Sequence, residues 1–158
     1  MDSAAWLSLI KRAFLSMDDR LGQVLQLSSC REHWIQAEIS LYAYYHDRVE
    51  IWTDLPIGEN RKADIYTIAG TDCSSMVAEI KCLGDSSQSK CLEGSWSIRS
   101  DIIRLQEVNC EMRLFVLIIP HSEQETAVGL KLRREPWIKD IECHTVELQS
   151  ALVRIWSL

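Results

Sequence analysis

Proline and glycine are scarce, three and six in 158 residues. That scarcity excludes collagen-like and low-complexity chains, and 47% apolar with 25% charged residues is the composition of a folded globular protein. No long hydrophobic run is present. The longest, Leu114 to Pro120, falls far short of the roughly 20 residues that cross a bilayer, so no membrane contact is expected. The N-terminal segment carries Asp2 ahead of any basic residue and has no small-residue cleavage site, so it does not read as a secretion signal. Six cysteines occur without a C-x-x-C pair or a Cys/His cluster at zinc spacing, which points to a reduced, cytoplasmic setting. Phosphate-binding glycine loops, serine elbows and dinucleotide fingerprints are missing, and the four histidines show no ligand spacing. Positive charge is also in short supply: 17 bases against 23 acids leave −6. Bulk electrostatic binding to nucleic acid is excluded, so any such contact has to be local or metal-assisted.

What is present fits one α/β domain with a mixed central sheet flanked by helices. Residues 1–28 read as a helical packing segment, 29–119 as the core and 120–158 as an extension of the sheet. Trp6, Leu9, Ile10 and Phe14 recur at helical spacing, which predicts a helix over 3–17. A second helix is expected over 29–45, with Ser29 as N-cap and Glu32 completing a capping box. Alternation predicts a strand over 48–53 that turns at Asp54-Leu55-Pro56, then a hairpin pair over 63–69 and 75–83. A polar loop over 85–97 precedes a helix over 98–109, and the apolar run 113–119 reads as a central strand buried on both faces. A helix near 123–134, a strand over 141–148 and a last strand over 151–156 are expected beyond it.

The chemistry-bearing residues lie on these elements. On the strand 76–82, Val77, Glu79 and Lys81 share a face, because side chains alternate. Taken alone, Glu79-Ile80-Lys81 says little, since roughly one acid-x-Lys tripeptide is expected by chance in such a composition. Asp64 opens the preceding strand, where aspartate is disfavoured and needs a reason. An antiparallel register centred near residue 72 would bring Asp64 to Glu79 and Lys81, where two carboxylates could share a cation. Glu38 falls on the helix stripe of Trp34, Leu41, Tyr42 and Tyr45, so a cationic neighbour is expected for it. Hard oxygen ligands of this kind suit magnesium, which takes one or two carboxylates plus phosphate oxygens. Asp101 and Arg104, three apart on a helix, read as a surface pair.

Glu38, then Asp64 in Lys62-Ala63-Asp64-Ile65, then Glu79-Ile80-Lys81 after 14 intervening residues resembles the PD-(D/E)XK nuclease superfamily. The resemblance covers roughly residues 30–119, including the α-β-β-β-α-β order, and Asp101-Ile102-Ile103-Arg104-Leu105 is similar to a helix seen in some members. Ala63 stands where the motif has proline, and Ile98 where related helices often carry an aromatic. The resemblance implies a restriction-endonuclease-like core and Mg2+ or Mn2+ held by Asp64, Glu79 and the Ile80 carbonyl, with support from Glu38. It also implies Lys81 as the catalytic lysine, Arg104, Gln106 and Lys62 as substrate contacts, and cleavage of nucleic acid, DNA before RNA. A rival expectation is a non-catalytic interaction module on the same scaffold, an immunity, inhibitor or assembly subunit with a protein partner or as a homodimer. The acidic balance and the aromatic-rich Tyr42, Tyr44 and Tyr45 favour that rival.

Overall fold

Helix α1 (Ser3–Val24) starts where Asp2 accepts a hydrogen bond from the Ala5 N–H at 2.9 Å, an N-cap. It runs a full two turns past the expected end, because Met17 and Leu21 continue the buried stripe of Trp6, Leu9, Ile10, Ala13 and Phe14. The computed structural model describes residues 1–27, 29–58, 61–70, 74–84, 98–126, 129–130 and 141–158. The expected loop over 85–97 and half of the helix expected near 123–134 lie outside that range. Helix α2 (Arg31–Tyr42) is shorter than its pattern predicts and continues as a π-helical turn over Ala43–Asp47, closed by Arg48 in the left-handed region at φ 57°. Its N-cap is Cys30, with no side-chain cap, so the expected Ser29–Glu32 capping box does not form.

Strands β1 (Trp52–Gly58), β2 (Arg61–Thr67) and β3 (Met76–Cys82) form an antiparallel meander, α3 (Ile98–Gln106) follows, and β4 (Met112–Pro120) joins β3 in parallel. A short α4 (His121–Gln124) leads on to β5 (Cys143–Glu147) and β6 (Ala151–Ser157), which pair antiparallel with each other, and β6 pairs antiparallel with β4. The result is a six-stranded mixed sheet of order β1-β2-β3-β4-β6-β5. β1 runs through Pro56, where a turn is expected from sequence. It lies at the sheet edge, where proline's missing N–H breaks no ladder bond, and Asp54 with φ 54° and a register slip between Pro56 and Gly58 absorb the irregularity.

Both faces of the sheet are covered. Met76, Ala78, Ile80, Leu114, Val116, Ile118, Val153 and Ile155 pack beneath α1 and α2. Phe115, Leu117, Ile119 and Trp156 pack with Ile98 and Ile102 of α3 on the other side. Beyond Arg113, β4 therefore reads as an unbroken apolar run because it is buried on both sides, as the sequence predicts. No helix among the described residues is long and apolar enough to cross a membrane.

Candidate active site

β2 and β3 are paired at Thr67–Met76, Tyr66–Val77 and Ile65–Ala78, and the described ladder stops there. One step further the register sets Asp64 opposite Glu79, on the sheet face that also carries Lys81. Along β3 successive residues direct their backbone groups to opposite edges. The Leu83 N–H donates to Ile118 of β4, so Ile80 and Cys82 direct theirs toward β2. Where β2 no longer pairs, two carboxylates take those donors. Asp64 Oδ2 accepts from the Ile80 N–H at 2.6 Å, and Glu32 Oε1 accepts from the Cys82 N–H at 2.8 Å. The Ile80 carbonyl belongs to the same edge, by the same alternation.

The site is therefore a parting of two strands lined by acids. Burial first, and then the neighbouring negative charges, raise the Asp64 carboxyl from 3.8 to about 6, against the opposing pull of the Ile80 N–H and Lys81. Glu79 is raised from 4.5 to about 7, mainly by burial and next by Asp64 itself, with Lys81 and Arg104 opposing. Two half-buried carboxylates facing each other hold protons into the neutral range because neither solvent nor the two nearby cations fully offsets their charge. Burial also pushes the Cys82 thiol up, so this cysteine is a packed hydrophobe and a poor nucleophile.

Lys81 Nζ lies 3.0 Å from Asp101 Oδ2, and Arg104 pairs with the other oxygen of the same carboxylate. Asp101 is buried, at 2% exposure, which corrects its reading as a surface pair. α3 packs over β3 and β4, so position 101 faces the sheet beside Lys81 and the two elements share the acid.

The structure does not bring Glu38 to this group. Its carboxylate is gripped by the two terminal nitrogens, Nη1 and Nη2, of Arg20 on α1, at 3.1 and 2.8 Å, and the guanidinium stacks 5.6 Å above the Trp34 ring. The expected cationic neighbour exists, but the helix buries a different face: α2 turns Ile35, Gln36 and Ile39 inward and leaves Leu41 exposed, as is Tyr45 in the turn that follows. The helix carboxylate beside Asp64 and Glu79 is Glu32, whose negative charge acts on both. Sequence reasoning had assigned Glu32 to a cap. It sits in the first turn of α2 and reaches the Cys82 N–H at the end of β3, a contact 50 residues apart that no local pattern in the sequence signals. Arg104 acts electrostatically on Glu79, whereas Lys62 and Gln106 are exposed and have no described contact with Asp64 or Glu79.

No protein-family model, curated protein or solved structure matches the chain. The functional reading therefore rests on the site itself. Among the described residues no three His, Cys, Asp or Glu side chains form a ready-made metal cluster. The donor set is instead two carboxylates and a backbone carbonyl, all hard oxygens, and two carboxylates are as many as a magnesium site commonly takes from a protein. Mutual repulsion of the pair is what a divalent cation would relieve, so the residues fit such an ion.

Proposed function

We propose that the chain is a metal-dependent nuclease whose site is Asp64, Glu79 and Lys81, with Glu32 in the supporting place that sequence reasoning gave to Glu38. One observation carries the reading: two half-buried acids and a lysine meet on one sheet face where β2 and β3 part. The order α2-β1-β2-β3-α3-β4, an antiparallel meander extended by a parallel strand, supports a restriction-endonuclease-like core.

Mg2+ or Mn2+ would be held by Asp64, Glu79 and the Ile80 carbonyl, and when bound it supplies positive charge at the phosphate and a more acidic coordinated water. The protein's own groups do the rest. Glu32 and Asp64, by taking the Cys82 and Ile80 N–H groups, hold the end of β3 apart from β2 and keep the gap open. Lys81 places an ammonium beside the carboxylates, where it stabilises negative charge developing on a phosphate. Arg104, anchored by Asp101, adds a second cation suited to a substrate phosphate. The test is incubation of plasmid, single-stranded DNA and RNA with Mg2+ or Mn2+. Cleavage of DNA by the wild type and none by Lys81→Ala is expected; equal cleavage by both, or by neither, discards the reading.

A second reading, a protein-interaction module, is favoured by the exposure of Leu41, Tyr44, Tyr45 and Trp52 around α2 and the β1 edge. Under that reading the chain binds no divalent ion even with oligonucleotide present.

A further inference from the structure

Asp101 has no part in the donor set just described, yet it is the charged group of α3 most completely withdrawn from water. Its side chain is 1% exposed, while those of its partners Lys81 and Arg104 are 28% and 39% exposed. An ionised carboxylate so deeply buried is costly unless cations meet it, and here two do, one from the facing strand and one from the next helical turn. Among the described residues no other hydrogen-bond donor reaches either carboxylate oxygen. The anchor is inside and the two cationic heads lie toward the rim of the site.

We propose that Asp101 is a positioning residue: it fixes the Lys81 ammonium, and with it the Arg104 guanidinium, beside the Asp64–Glu79 pair where a substrate phosphate enters. The inference rests on the nuclease reading. A lysine head on four rotatable bonds is otherwise spread over many positions, and confining it before substrate arrives removes that ordering cost from the reaction. The alternative, that only net charge matters, makes the opposite prediction. Asp101→Asn removes a negative charge, so charge alone would tighten nucleic-acid binding and leave turnover intact. Loss of positioning instead lowers turnover despite the extra positive charge.

The experiment measures kcat and KM for plasmid cleavage by the full chain in Mg2+, for wild type, Asp101→Asn and Asp101→Glu, with circular dichroism as the folding control. Asp101→Asn is expected to lose about 100-fold in kcat with KM no higher than wild type, and Asp101→Glu, which keeps the charge, to recover part of the loss. If Asp101→Asn does not fold, Asp101→Glu alone decides, with a kcat between wild type and Lys81→Ala expected. Wild-type kcat in either folded variant, or equal loss in both, overturns the proposal while leaving the nuclease reading standing. A wild type that cleaves nothing removes the nuclease reading and this proposal with it.

Discussion

Replacing Glu79 by glutamine in the ion-free protein has an effect on stability whose sign reverses ordinary expectation for a charged residue. Glu79 is raised from 4.5 to about 7, chiefly by burial and then by Asp64, and Asp64 from 3.8 to about 6, chiefly by burial and then by Glu32 and Asp54. The folded state therefore binds protons more tightly than the unfolded one. Stability from these groups is full below about pH 4 and is lost as pH rises through 6 and 7. At 1.36 kcal/mol for each tenfold change in proton affinity, Glu79 alone accounts for about 3 kcal/mol by pH 8. Glutamine carries no charge, so Glu79→Gln should be about 3 kcal/mol more stable than wild type at pH 8 and nearly equal to it at pH 4.5. For a chain of this length that is roughly 6–12 °C in Tm. Urea unfolding of both proteins from pH 4.5 to 8, with chelator present, reads the difference directly. Other paired carboxylates cancel, since both proteins contain them. Parallel pH profiles, or a wild type that gains on Glu79→Gln as pH rises, would refute the reasoning.

Asp64→Ala should abolish Mg2+-dependent nicking while Tm stays within a few degrees of wild type, because the lost bond to the Ile80 N–H is offset by relief of the carboxylate repulsion; gel assays and thermal melts check both halves. Glu32→Gln should reduce cleavage, whereas Glu38→Gln should leave it unchanged and cost at most about 1 kcal/mol through its partly exposed pair with Arg20, as side-by-side rate and urea measurements would show. Phe115→Ala should cost about 3–5 kcal/mol in urea unfolding, since Phe115 is fully buried with its ring 5.8 Å from that of Trp156.

The strands and their faces were legible because period-2 alternation is a local signal: it put Glu79 beside Lys81 on one face, and the antiparallel partner strand put Asp64 near them. β4 was legible for a related reason, since a strand covered on both sides has no polar positions to blur it. The helix carboxylate was not. Apolar and aromatic residues are spread around α2, so its inward face, Ile35 and Ile39, is chosen by packing on the sheet and not by its own pattern. Glu32 was hidden by its plausible local role, and only the approach of α2 to the end of β3 gives it the Cys82 N–H. Asp101 and Arg104 show the limit of i,i+3 spacing, which brings two charges together without saying that one of them is covered by a sheet. Pro56 was read as a strand terminator because edge position, which makes it harmless, is a property of the whole sheet.

Calorimetric titration of Mn2+ into the metal-free chain, its Asp64→Ala variant and its Glu79→Gln variant asks whether these two acids hold a common cation. One saturable site in the wild type, absent from both variants, is the expected result. No heat from the wild type with an oligonucleotide present, or the same isotherm for all three proteins, would contradict it.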